Sequence, residues 1–226
     1  MASNAKNVYA AEPLATGGLI VFPLGTPPPA EPDDPDGATA ELPEGGIDLG
    51  HIGEDGFTET TDRTTDKKRN WGGKVVKVLQ TEYTHTVKFV FLESLNGYVL
   101  KEVYGPTNVT ISPADGTHGT RVAIRKNARK LPRRTWCIDS WDSELNAFYR
   151  NWIPEGQITE LGDVVVVHSD TIMYEVTIEC FEDENGDHVL TWTDDGNPEG
   201  ELVEELEGVG AAIAPQGGGV YEPDVA

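Results

Sequence analysis

Alternation of apolar and polar side chains limits what this chain can fold into more than any other feature. Tyr83, His85, Val87, Phe89 and Phe91 point one way, and Thr84, Thr86 and Lys88 the other. Ile172, Tyr174, Val176, Ile178 and Cys180 form a second apolar file opposite Glu175, Thr177 and Glu179. A period of two is the mark of a half-buried strand. Val122 and Ile124 alternate with Arg121, Ala123 and Arg125, and shorter runs at 19–22, 57–61, 74–79 and 189–193 extend the set. Asn185-Gly186 lies between the last two runs, and Asn-Gly is the strongest short hairpin signal. One helix is predicted from Leu92, Leu95, Val99 and Val103, with Ser94 as N-cap and Gly105-Pro106 as its stop. Gly97 weakens its middle. A second, short helix is expected near 202–207. The predicted fold is mainly β (α+β): a β-sandwich or partial barrel with one flanking helix.

The remaining segments read as arms. Seven of the 15 prolines fall between Pro23 and Pro43, which rules out helix or central strand there. Residues 23–46 are therefore expected to be an extended, acidic arm or loop. Residues 1–18 read as an N-terminal arm, 19–200 as one β domain and 201–226 as a C-terminal tail rich in Gly and Pro. The segments 27–46 and 208–226 are expected to order only when laid across a neighbour.

Charge is sorted along the chain. The net formal charge is -22. Residues 1–62 hold one basic residue, Lys6, and 12 acidic ones; residues 63–150 hold 16 basic and 8 acidic; residues 151–226 hold 19 acidic and no Lys or Arg. The total argues against a phosphate-backbone binder and against docking on an anionic membrane. The sorting suggests self-complementarity, the basic block of one copy facing acidic blocks of another, which sets register more than affinity. A head-to-tail contact of that kind makes rings, or filaments where it does not close. No apolar run approaches a membrane span, and residues 1–18 lack the apolar core of a signal peptide, so cytoplasmic synthesis is expected.

Residues that carry chemistry are sparse. Cys137 and Cys180 sit in apolar runs and read as buried free thiols. His51, His85, His118, His168 and His188 show no zinc spacing. Asp183, Asn185, Asp187 and Asp194 mimic a calcium loop, but His188 stands where that loop needs Gly, and a turn explains them better. No nucleophile or paired-carboxylate constellation has local support, so no catalytic residue, cofactor or metal is assigned. Trp71, Trp136, Trp141, Trp152 and Trp192 with Tyr149 could line a sugar-binding groove. That keeps one alternative open, an acidic β-sandwich binding module for carbohydrate or a cell surface.

Several short motifs occur in a telling order. They are Gly18-Leu-Ile-Val-Phe-Pro-Leu-Gly-Thr26, Ile47-Asp-Leu-Gly-His-Ile-Gly-Glu-Asp-Gly56, Trp71-Gly-Gly73, Gln80-Thr-Glu-Tyr83 and Glu102-Val-Tyr-Gly105. Ile153-Pro-Glu-Gly156, Glu160-Leu-Gly-Asp163 and Tyr174-Glu-Val-Thr-Ile178 follow. Together, over about residues 8–193, they resemble the major tail proteins of long-tailed actinobacterial bacteriophages. The arm at 27–46 is longer than is usual there, and the immunoglobulin-like appendix of many members does not follow.

The resemblance implies a tail tube subunit whose strands complete a barrel shared within a hexameric ring. Stacked rings would form the conduit for genome ejection. Its partners would be further copies of itself, the tape measure, tail terminator and baseplate or tip proteins, with DNA only in transit and no membrane. It would sit in the virion tail after assembly in the host cytoplasm. Such a conduit must not hold DNA, which carries about one charge per 1.7 Å of axis. Glu59, Glu175, Thr177 and Glu179 are the candidate lumen-facing residues. Residues 61–70, read as a polar loop between two strands, are the candidate inter-ring stacking loop, with Arg63, Lys67, Lys68 and Arg69 reaching an acidic surface of the next ring.

Overall fold

The structure is a computed structural model, described here for residues 8–14 and 18–198. The chain divides into two compact units, residues 1–196 and 197–226. The tail at 201–226 and the short helix expected near 202–207 lie outside the described residues.

Among the described residues, eleven strands and one α-helix build the first unit: β1 (Glu12–Pro13), β2 (Leu19–Phe22), β3 (Ile47–Asp48), β4 (Ile52–Arg69), β5 (Val75–Phe91), α1 (Gly97–Tyr104), β6 (Val109–Ser112), β7 (Arg121–Ile124), β8 (Arg134–Asp142), β9 (Ala147–Leu161), β10 (Tyr174–Phe181) and β11 (Leu190–Asp194). Nine strands form one antiparallel sheet in the order β3-β2-β8-β9-β10-β5-β4, with β1 added on β8 and β11 on β9; β6 and β7 pair separately. The arrangement is β-sandwich-like and is not closed into a barrel.

Register sorts the side chains into two cores. Leu19, Val21, Trp136, Ile138 and Ile153 join Val87, Phe89, Phe91, Val176 and Ile178 beneath α1. Each such buried side chain contributes about 1.5–3 kcal/mol. On the other face of β2, β8 and β9, Phe22, Cys137 and Trp152 meet Leu190, Trp192 and Ala38. Because both faces of β8 are covered, all its residues except Arg134 and Trp141 are buried. Its sequence therefore lacks alternation. β9 carries Pro154, which falls at the register shift where Ile153 pairs with Trp136 and Gly156 with Arg134. A bulge tolerates a residue with no N–H to give.

Four expectations need correction. The helix starts at Gly97, not near Ser94; Asn96 is its cap, its side chain accepting from Tyr98 N, and Leu95 is left exposed. Glu93 ties the preceding turn to Asn96 Nδ2 at 2.9 Å, which keeps that turn out of the helix. Gly97 lets α1 close on β6, since a methyl there would stand 2.5 Å from Ile111 Cδ1. The Asn185-Gly186 turn does not make a hairpin, because β10 and β11 each pair with β9, whose 15 residues are long enough to take both.

The Pro-rich segment is not a free arm. Pro35–Ala38 forms a 3-10 turn whose Gly37 and Ala38 are buried. Arg150 Nη1 donates to Gly37 O at 3.0 Å and Ala40 O at 2.7 Å. The same guanidinium grips Asp139 through Nε at 2.9 Å and Nη2 at 2.8 Å. One buried ion pair thus ties β8, β9 and the arm together, and the arm orders on its own chain. The segment read as an N-terminal arm likewise joins the sheet: β1 pairs with β8, and Ala10 N donates to Asp142 Oδ2 at 2.9 Å.

Candidate assembly surface

Residues 61–70 are not a loop. β4 is one strand of 18 residues, and β5 one of 17, so the runs read separately at 74–79 and 83–91 are continuous. The charged stretch includes Thr61, Thr64 and Thr65, a residue type that favours strand. β10 pairs with β5 only from Phe91 to His85. Beyond His85, β4 and β5 pair only with each other. Eight residues at about 3.3 Å each make a ribbon roughly 25 Å long. Trp71 is fully exposed in the turn that ends it.

The two faces of the ribbon differ. Arg63 pairs with Tyr83, Thr65 with Gln80, Lys67 with Val78 and Arg69 with Val75, which places them on one face. That face has three cations, no carboxylate, and two exposed valines (Val75, Val78). Arg63 lies over the Tyr83 ring at 4.8 Å and Arg69 Nη1 donates to Gly73 O at 2.9 Å, so both are partly fixed. Lys68 is on the other face, with Leu79 and Lys77, and is engaged by Asp66 at 2.6 Å. Of the four residues named for stacking, then, three share a face and one does not.

The lumen-facing set also divides. Glu175, Thr177 and Glu179 stand opposite Val90, Lys88 and Thr86, which in turn neighbour Thr58 and Thr60 of β4. This makes one outward, Thr-rich polar face, on which Lys88 meets Glu175 at 3.0 Å. Glu59 pairs with the buried Val87 and points to the opposite, inner face. There it accepts a hydrogen bond from Asn151 Nδ2, and Thr191 Oγ1 donates to Asn151 Oδ1 at 2.6 Å. Glu59 thus lies on the face opposite to the other three and ties β4 to β9 at the root of the ribbon. Parity alone could have shown this: an odd-numbered residue in β4 lies with Thr61 and Arg63, not with Thr58 and Thr60.

His85 closes this inner network. Its Nδ1 lies 3.0 Å from Thr61 Oγ1, and its Nε2 lies 3.8 Å from Glu59 Oε2, beyond hydrogen-bond reach. Burial pulls its pKa below the ordinary histidine value, Glu59 opposing and His188 adding to the shift. A cleft of about 400 Å³ opens beside it, lined by Glu59, Arg63, Gln80, Tyr83 and His188.

The β4 edge of the sheet bears on assembly. β4 ends the strand order and hydrogen-bonds only to β5, leaving its second edge without a strand among the described residues. Such an edge is a template for another chain, and its charges restrain unwanted pairing.

The other candidate chemistry is placed elsewhere. Trp136, Trp152 and Trp192 are core residues, Trp141 stacks on Phe148, and Trp71 is at the ribbon end, so these aromatics do not share one groove. Asp183 Oδ1 accepts from Asn185 N at 2.8 Å and Asp187 N at 2.9 Å, which makes it a turn residue. Cys137 and Cys180 are buried free thiols, and burial pushes Cys180 up to about 12. Among the described residues no group of three or more His, Cys, Asp or Glu is placed to hold a metal ion.

The sheet thus carries one long edge strand and a projecting ribbon. The chain matches the phage tail tube protein family over residues 1–201, and it belongs to that family. It is thereby a structural component of the virion tail, assembling with other tail proteins. No protein of curated function matches it.

Proposed function

We propose that this chain is the tail tube subunit of a long-tailed phage, forming hexameric rings that stack into the conduit for genome ejection. The observation that carries the reading is β4: one strand with an unpaired edge, a polar outward face and a ribbon extending past the sheet. A neighbouring copy that pairs with this edge continues the sheet around the ring and removes the edge hazard. The Thr-rich face of Thr58, Thr60, Thr84, Thr86, Thr177, Glu175 and Glu179 then lines the bore. Lys88 is spent on Glu175, so the wall offers DNA few free cations. The ribbon reaches the adjacent ring with its Arg63, Lys67, Arg69 face. Tape measure, terminator and baseplate or tip proteins complete the tail, assembled in the host cytoplasm. The ordered motifs along the chain support placement among actinobacterial phages.

Charge inversion of the ribbon face, R63E with K67E and R69E, tests this. The variant should stay folded by circular dichroism and should not build tubes under conditions where the natural chain does. Tubes of normal length from the variant would remove the ribbon from ring stacking.

A further inference from the structure

Two exposed charged surfaces remain that neither the bore nor the ribbon uses. The first is the strap between β7 and β8. It has no regular structure, yet it is pinned: Asn108 and Asn127 exchange amide hydrogen bonds at 2.8 and 3.3 Å, Leu131 packs on the larger core, and Gln157 donates to Leu131 O. Lys126, Arg129 and Lys130 project from it into solvent, and none has a carboxylate partner among the described residues; Lys126 rests only on the Tyr104 ring, at 5.0 Å. The neighbouring Arg133 and Arg134 are already used, by Glu155 and Glu102.

The second surface is the packed arm. Arg150 and the Trp192 cluster hold it against the smaller core, and from there it exposes Glu31, Asp33, Glu41 and Glu44. No cation pairs with these four among the described residues, and none lies within the arm's own sequence. Strap and arm pack on different cores, on the two faces of the β2-β8-β9 sheet, and no ion pair joins them within the chain.

We propose that the strap of one copy docks on the arm of a second copy, as a further lateral, head-to-tail contact within the ring beside the pairing on the β4 edge. Both surfaces are anchored to the sheet before contact by the hydrogen bonds above, which lowers the ordering entropy lost on docking. A contact between two different patches is heterologous, the type that closes into rings. This rests on the self-assembly reading and names the partner surface for it.

A charge swap with rescue is the test, read as the midpoint concentration of self-association by sedimentation velocity. K126E/R129E/K130E and E31K/D33K/E41K/E44K should each raise the midpoint about tenfold, the scale of several rim pairs acting together. The two sets combined in one chain should restore it. Single swaps that associate like the natural chain overturn the proposal, and so does failed rescue when circular dichroism shows both single variants folded. In those outcomes the natural chain still assembles, so the tube reading stands; a natural chain that never associates removes both.

Discussion

At the scale of single residues, Arg150 and Asp139 carry the most structural weight. Their side chains are only 8% and 9% exposed, and the guanidinium also satisfies two carbonyls of the arm. Removing one partner leaves an uncompensated buried charge, so Asp139→Ala should destabilise the subunit by about 3–5 kcal/mol in urea denaturation. His85 sets a pH dependence. Its folded pKa lies below the unfolded 6.5, so the unfolded chain binds the proton first. Stability is therefore complete above about pH 6.5 and is lost as the pH falls towards the folded value. Unfolding midpoints of the natural chain should drop from pH 7.5 to 5.5, and His85→Gln should flatten that slope. Glu102 runs in the opposite sense: burial raises it against the pull of Arg134, so its contribution is fullest below the ordinary glutamate range and declines as the pH rises through its folded value. The apolar files of β5 and β10 were readable in the sequence because alternation is local. The Arg150–Asp139 pair was not, because nothing local shows that Arg150 and Asp139 will be direct partners across β8 and β9.

At the scale of elements, the arm and the ribbon behave oppositely. Gly37 lies against Trp192, where a methyl would stand 2.5 Å from the indole, so Gly37→Ala should lift the arm. A loss of about 1–3 kcal/mol is expected, with a red shift of tryptophan fluorescence. The ribbon pairs only with itself beyond His85, so replacing residues 65–80 with a tight turn should leave the thermal midpoint nearly unchanged and abolish tube growth. The central strands β8 and β9 escaped sequence reading because burial on both faces erases the period of two, and Pro154 disguises β9 further. The arm was misread for a related reason: proline composition shows that a segment cannot be helix or central strand, but not whether it packs. In β4, the run of Thr and charged residues gave no apolar file to follow, and the strand looked like a loop.

For the whole molecule, the proposed tube assigns the sandwich the role of frame, the β4 edge that of a place for a neighbour, and the ribbon that of a reach towards the next layer. A ring closed through the β4 edge, as proposed, would let an 18-residue edge strand be kept without uncontrolled pairing. Sorted charge would add direction, since a ring of more than two identical copies is built through unlike surfaces. Electron microscopy of the concentrated, untagged chain at physiological salt, with its natural tail partners present as nucleators, tests this most directly. Hollow rings or tubes of uniform bore are the expected result; a field of monomers with no hollow particles would contradict it.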